Sequence, residues 1–296
     1  MPEKINSCPI CGGSAFKGHI QAKDYTTTGE VFNIEQCATC QFVFTNPRPT
    51  ETEIGKYYQS KNYISHTDGG NRLIDRVYVM ARNYAMSWKL GLLKAHQPTG
   101  DILDFGCGTG EFLHYCQSQG WNVQGVEPSI NAREIAGRKI GKRVAMEISE
   151  LKHQQFDVVT LWHVLEHIHQ LESALKNILN SLRIEGTLFI AVPNYKSADG
   201  QHYQNYWAGY DVPRHLWHFS KQTICTLLER NGLKVIAIKP MKMDSFYVSL
   251  LSEGYKNPNG SAFANTIKAL GIGLKSNWMA SKNGNYSSLV YIAKFS

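Results

Sequence analysis

Three glycines on alternate positions end the apolar run Asp101-Ile-Leu-Asp-Phe-Gly-Cys-Gly-Thr-Gly110, a pattern suited to holding a ligand by backbone amides. Side chains at Gly106, Gly108 and Gly110 would keep a ligand off the chain, and the turn needs dihedrals that other residues reach only with strain. Asp104 precedes the turn, and a second acid, Glu127, closes the next apolar segment 21 residues after Gly106. A carboxylate at that spacing can accept both hydroxyls of a ribose. A dinucleotide fits poorly, because its third glycine would fall at 111, where Glu111 would repel a pyrophosphate. A cofactor with no phosphate and a cationic sulfonium suits two nearby carboxylates better.

A second chemistry lies in Cys8-Pro-Ile-Cys11 and Cys37-Ala-Thr-Cys40, two pairs separated by 25 residues. Two residues between thiolates let both sulfurs of a knuckle reach one ion, and two knuckles make a closed tetrahedral site. The spacing predicts a zinc ribbon with structural zinc on Cys8, Cys11, Cys37 and Cys40, with a free-thiol or redox role as the alternative. With four cysteines on the ion, no position is left for catalysis.

His163-Val-Leu-Glu-His167 matches a metalloprotease pattern of two histidines one helical turn apart with a glutamate base. That motif needs a helix already formed at its first histidine, whereas His163 follows the strand-like Asp157-Val-Val-Thr-Leu-Trp162. A further polar group, Asp211, Arg214, His215 and His218, sits in the aromatic loop from Tyr206 to Ser220. Pro213 and the aromatics argue for an ordered loop. A bridge between Arg214 and Asp211 is its purely structural reading.

Four segments in order, Leu103–Gly110, Val126–Ser129, Phe156–Ile168 and Glu185–Asn194, resemble the class I S-adenosylmethionine (SAM) dependent methyltransferases. The likeness covers about residues 98 to 240, with Ser288–Phe295 as a last strand. It implies a seven-stranded, mainly parallel sheet whose last strand is antiparallel. It also implies a SAM site along Asp104, Gly106, Cys107, Gly108, Gly110, Glu127 and Pro128, with Glu147 or Ile148 near the adenine. Trp162, His163 and Val164 would edge the cofactor. Methyl transfer to a hydroxyl or an activated carbon requires removal of the acceptor's proton, and imidazole is best matched to neutral pH. His215 is the first candidate for that base, oriented by Tyr210 and Asp211, followed by His167 and His218.

The elements that must position these groups alternate strand and helix, which makes the fold α/β and doubly wound. Helices are expected from Glu111 with Phe112, Leu113 and Cys116 inward, from Leu171 to a stop at Gly186, and from a Ser220 cap to Gly232. Short strands are expected at Phe16–Ala22, Val31–Glu35 and Phe42–Thr45 in the ribbon. Between ribbon and catalytic domain, a helix should start near Thr50 and run through Ile54, Tyr57 and Tyr58. After a polar loop with Asp68-Gly-Gly70, Leu73, Val77, Met80, Tyr84 and Trp88 form a stripe that would pack on the sheet. Tyr57, Tyr58 and Tyr63 could instead cover the cofactor as a lid. The implied division is a ribbon at 1–48, a helical connector at 49–97 and the SAM-binding domain at 98–296, with a lysine-rich insertion at about 243–285.

At 296 residues and 43% hydrophobic, the chain can bury one full α/β core and a smaller appendage. Polar residues break its apolar start, and no uncharged run reaches 18 residues, so a cytoplasmic enzyme is expected. From Lys234 to Ser296 eight lysines face two acids, so +6 of the net +7 lies there. Lysine without arginine suggests diffuse attraction to an anionic acceptor or to a membrane surface carrying it. The leading expectation is methyl transfer to oxygen or carbon of a small or carrier-linked metabolite, such as a sugar or lipid intermediate. RNA methylation is the alternative, weakened because the ribbon and connector lack a strongly basic strip. A SAM- and zinc-binding scaffold without catalysis is the third.

Overall fold

A computed structural model describes residues 2–59 and 72–296, with the side chains of 72–82 left out of account. Tyr63, the loop at 68–70 and the side chains of Leu73, Val77 and Met80 therefore lie outside the described residues.

The strands are β1 (Phe16–Lys23), β2 (Val31–Cys37), β3 (Val43–Thr45), β4 (Asp101–Phe105), β5 (Asn122–Val126), β6 (Phe156–Trp162), β7 (Leu182–Pro193), β8 (Trp217–His218), β9 (Leu233–Pro240) and β10 (Ser288–Phe295). The α-helices are α1 (Arg72–Lys94), α2 (Glu111–Ser118), α3 (Ile130–Ile140), α4 (Leu171–Asn180), α5 (Ala198–Tyr203), α6 (Lys221–Arg230), α7 (Asp244–Lys256) and α8 (Ala262–Asn283).

The large sheet runs β5-β4-β6-β7-β10-β9. Its first four strands are parallel neighbours, and β10 lies antiparallel between β7 and β9. Among the described residues the sheet has six strands where seven were expected, because the seventh position is reduced to one parallel bridge, Val126 to Ala145. Strands β4 and β6 are buried nearly throughout because helices cover both faces. Leu103, Val159 and Ile190 fill one side of the sheet, and Ile102, Val158 and Phe189 the other. Helix α6 starts at the Ser220 cap as its sequence implies, the hydroxyl accepting from Thr223 N. Helix α4 ends at Asn180, earlier than the expected stop at Gly186, since Leu182–Pro193 is claimed whole by β7.

The small sheet runs β1-β2-β3-β8, antiparallel throughout. Its fourth strand comes from the aromatic loop beyond β7, with Val43 opposite His218 and Phe44 opposite Trp217. Phe42, Phe44, Trp217 and Phe219 share one core with the catalytic sheet. Between the two sheets the expected helix at Thr50 is only a single 3₁₀ turn, Ile54–Tyr58. The α1 stripe also shifts: Tyr84 is exposed, while Leu90 and Leu93 carry the packing.

Candidate functional site

The turn from β4 into α2 uses left-handed backbone at Gly106, with φ +74°, and at Gly108, with φ +53°. A Cβ on Gly106 would lie 2.6 Å from Val164 Cγ2, so this glycine lets the turn pack on the end of β6. Gly108 is the position with open space, since a Cβ there meets nothing within 4 Å. Of the three glycines expected to clear a ligand, only Gly108 does so: Gly106 packs on Val164, and a Cβ at Gly110 would lie 2.9 Å from Ala136.

Beside this opening, Glu127 is fixed at the end of β5 by two backbone donors. Gly108 N reaches its Oε2 and Ser129 N its Oε1, each at 2.9 Å. The remaining lone pairs stay available to hydroxyl donors. Pro128 lies between Glu127 and Ser129, and its carbonyl accepts from Arg133. Asp104 is buried and accepts from Thr160 Oγ1 at 2.6 Å. Burial pushes its carboxyl up to about 6, against the Thr160 hydroxyl and the cation of Lys89. Burial likewise raises the Cys107 thiol far above its ordinary range, so Cys107 lines the turn as an uncharged apolar side chain.

Farther along the edge, Glu147 spends its carboxylate capping the short turn Ile148–Leu151, and Ile148 packs partly into the core. Trp162 is packed edge-on against Phe112, and its buried Nε1 has no partner among the described residues. Lys89 Nζ lies 4.4 Å over the Trp162 ring. Burial lowers the Lys89 pKa, with Asp104 and Asp244 opposing that shift. Lys89 had no local sequence signal, and the α1 periodicity hid it among surface positions.

Strand β6 ends at Trp162, and His163 takes a left-handed φ of +57° before a 3₁₀ turn at Leu165–His167. No helix exists at the first histidine, so the protease geometry fails here. His163 instead bridges two carboxylates, with Nδ1 3.3 Å from Glu166 Oε1 and Nε2 3.1 Å from Asp244 Oδ2. Burial opposes its charge, but the two acids prevail and raise its pKa to about 10.

The next turn brings His167 against His215, ring centroids 4.6 Å apart and edge to face. His167 Nδ1 lies 3.0 Å from the Arg214 carbonyl, and His215 Nδ1 2.9 Å from that of Gly209. Carbonyls only accept, so both Nδ1 atoms carry the proton and both Nε2 atoms are left as bases. Tyr58 Oη also lies 3.0 Å from His167 Nδ1. Burial and the neighbouring His215 depress the His167 pKa to about 4, which keeps that ring neutral. Beneath the pair, the Glu166 carboxylate is fully buried, and neither oxygen has a well-aligned hydrogen bond among the described residues. One ligand atom each from Glu166, His167 and His215 lie within 4.8 Å of one another.

Arg214 binds Asp211 through two nitrogens, at 3.0 and 2.7 Å, and reaches Asp24 at 3.1 Å, so the expected bridge is present and larger than foreseen. It also donates to the carbonyl of Tyr57, whose ring is buried against Phe32, so Tyr57 is a packing residue rather than a lid. Asp211 Oδ2 stands 4.0 Å from His215 Nε2, but Tyr210 does not orient that ring. Tyr210 is buried against Trp207 and lies 3.3 Å from His19 Nε2. His218 is buried too, 3.1 Å from Thr45 Oγ1, with its pKa held well below the usual value by burial. Neither reaches the histidine pair.

The four cysteines meet as their spacing implies, with Cys8 and Cys40 sulfurs 3.5 Å apart and Cys11 and Cys37 sulfurs 3.5 Å apart. None of the four is in a disulfide. A tetrahedral ion with bonds of about 2.3 Å needs sulfurs roughly 3.8 Å apart, so the donor set fits zinc. The knuckles share one backbone design. Cys8 N donates to Gly13 O and accepts at its carbonyl from Gly12 N, while Cys37 does the same with Phe42 O and Gln41 N. Gly12 and Gln41 both take left-handed dihedrals, at +74° and +67°.

A glycine-lined opening with two carboxylates at the carboxyl ends of parallel strands belongs to a recognisable class of proteins. The family described as "Methyltransferase domain" matches residues 79–238. The chain belongs to that family. It is similar to the mitochondrial ubiquinone biosynthesis O-methyltransferase of rat, 28% identical over 164 residues, covering 49% of this chain and 47% of the relative. The human relative of that name is 30% identical over 164 residues, covering 49% and 44%. The chain spans about half the length of these relatives. Among solved structures, its fold is similar to magnesium protoporphyrin IX methyltransferase of Synechocystis with S-adenosylhomocysteine bound. That likeness has a TM-score of 0.52 and 14% identity, and covers 83% of this chain and 100% of the other. A SAM-dependent methyltransferase from Archaeoglobus fulgidus gives 0.50 at 20% identity, covering 72% and 94%. Residues 79–238 are thus a methyltransferase domain.

Proposed function

We propose that this methyltransferase transfers its methyl group to a hydroxyl of a small or carrier-linked acceptor, with His215 as the base and His167 beside it. The observation that carries this reading is the pair of imidazoles whose Nδ1 protons are both tied to carbonyls, leaving two basic Nε2 atoms at the end of β6. The names of the relatives, O-methyltransferases, favour oxygen as the acceptor atom.

Bound SAM supplies an electrophilic methyl group on a cationic sulfur. Glu127 would accept the ribose hydroxyls, the space over Gly108 would admit the ligand to the backbone, and Trp162 Nε1, which has no partner among the described residues, would be a donor at the cofactor's edge. For an acceptor hydroxyl to take the methyl group, the methyl–sulfur bond must break with its electron pair leaving on the neutral thioether; the hydroxyl proton would go to His215 Nε2, and Asp211 at 4.0 Å would stabilise the imidazolium. Zinc on Cys8, Cys11, Cys37 and Cys40 is structural in this reading, holding the strand that pairs with β8 and thereby His215.

A second reading rests on Glu166, whose Oε1 is ion-paired with His163 at 3.3 Å while its buried Oε2 has no donor among the described residues. A divalent cation on Glu166, His167 and His215 would satisfy Oε2 and hold the acceptor oxygen. The test is a screen of hydroxylated aromatics, sugars, lipids and RNA with methyl-labelled SAM, run with and without a chelator that leaves the cysteine zinc in place. A methyl ether formed in both conditions supports the base. Loss with chelator and rescue by added cation supports the metal. Label found only in RNA refutes both.

A further inference from the structure

Helix α8 is built inside out for a water-soluble surface. Its 22 residues bury Ala269, Gly273, Ser276 and Ala280, all small. Its large apolar side chains Phe263, Ile267, Leu270, Leu274 and Trp278 are 48 to 75% exposed. Their spacing of three to four residues puts them on one ridge along the helix. The helix it packs on shows the same inversion, since α7 buries Ser245, Ser249 and Ser252 while leaving Leu250 exposed. The close approach is enforced: a Cβ at Gly273 would lie 2.7 Å from the Phe246 ring, and Ser245 Oγ donates to the Gly273 carbonyl. Small residues at a helix seam with large apolar ones outside is packing suited to hydrocarbon surroundings.

Charge decides what covers the ridge. Lys268, Lys275 and Lys282 are exposed and recur every seven residues, a second stripe beside the apolar one, and α8 contains no acid. The two acids of the C-terminal region point elsewhere: Glu253 is buried and bonded to Asn257, and Asp244 faces His163. A pocket of about 350 Å³ beside the ridge adds Lys196 to Lys275 at its rim. A second copy docked on the same face would set lysine stripe against lysine stripe. Among the described residues no helix is long and apolar enough to cross a membrane. A helix with such a ridge and lysine flank lies in the plane of an anionic lipid surface.

We propose that the α7–α8 hairpin is a membrane-docking element, with the Phe263–Trp278 ridge entering the acyl boundary of an anionic bilayer and the lysines meeting its phosphates. Because α7 begins at Asp244, bonded to His163, the docked hairpin would set the histidine site against the bilayer; this consequence alone rests on the proposed reaction.

The test uses the full chain and no acceptor, so it is independent of any methyl-transfer assay. Flotation is measured with vesicles of phosphatidylcholine alone and with equal parts of phosphatidylglycerol. The protein should float with the anionic vesicles, and high salt should release it. The triple variant Lys268→Gln, Lys275→Gln, Lys282→Gln should bind on the order of 10²-fold more weakly. The double variant Leu274→Glu, Trp278→Glu should lose flotation while keeping SAM affinity, because both side chains already face outward. Trp278→Phe should abolish any lipid-induced blue shift of fluorescence. Absence of flotation, equal binding by the lysine variant, or a lipid-free dimer that Leu274→Glu dissociates would each overturn the proposal.

Discussion

Breaking up the four-cysteine cluster should disorder the histidine loop while leaving the turn at Gly108 and Glu127 intact. The perturbation is Cys37→Ser, or chelation under reducing conditions, which releases the knuckle that feeds β3. Strand β3 then loses its hold on the loop: Thr45 N donates to Leu216 O and Thr45 Oγ1 to His215 O, both at 2.9 Å. The rings of Phe42 and Phe44 lie 5.8 and 6.3 Å from Trp217. Two hydrogen bonds at about 1 kcal/mol each and two aromatic pairs at about 1 kcal/mol each give roughly 4 kcal/mol. At about 1.4 kcal/mol per decade, loop opening should become on the order of 10³-fold more frequent. Amide hydrogen exchange at residues 215–218 reads this directly, and calorimetry reads SAM affinity in the same sample. Exchange should accelerate by about 10² to 10³ while the SAM Kd changes by less than about threefold. Unchanged exchange in protein shown by elemental analysis to have lost its metal would refute the coupling, and equal loss of SAM binding would show that the ribbon supports the whole fold instead.

Three further outcomes follow from the charges at the site. Asp104→Asn should raise thermal stability, because burial lifts the folded carboxyl to about 6 and its ionisation at neutral pH costs on the order of 3 kcal/mol; the same variant should bind SAM more weakly, and a lowered Tm would contradict this. His163 has a folded pKa of about 10, above its ordinary value, so its contribution is complete below about 6.5 and is lost as pH rises through 10. Denaturant titrations should show stability falling over that window, and Asp244→Asn should flatten the slope. Glu127→Ala should weaken SAM binding by about 1 to 3 kcal/mol through lost hydrogen bonds to a charged group, an effect calorimetry would detect.

Much of this site is legible in the sequence because its parts are local. The strand-turn-helix from Asp101 to Ser118 announces itself through Ile102, Leu103 and the spaced glycines, and the cysteine knuckles through a spacing that backbone geometry imposes. What escapes is contact over long separations. The partner of His163 is Asp244, 81 residues away, and the neighbour of Thr45 is His218, 173 residues away. Nothing in the periodicity around Tyr210 and His218 reveals that both turn inward, since aromatic loop residues read alike whether they overhang a ligand or fill a core. Lys89 is a similar case: a lysine on an amphipathic helix reads as solvated until the fold sets it over Trp162. The large exposed side chains of α8 were readable as an apolar stripe, and the natural inference from a stripe is a buried face. Only the small residues opposite them, packed on α7, show that the stripe points outward.

The most direct test separates cofactor binding from proton transfer. Once an acceptor is in hand, single-turnover methyl transfer and SAM affinity are measured together in the wild-type protein, His215→Ala and His167→Ala. General-base loss costs on the order of 10² to 10⁴ in rate, so His215→Ala should lose that much turnover with its SAM Kd unchanged. Near-wild-type turnover in His215→Ala and in His167→Ala alike would contradict the assignment of the histidine pair as the catalytic base.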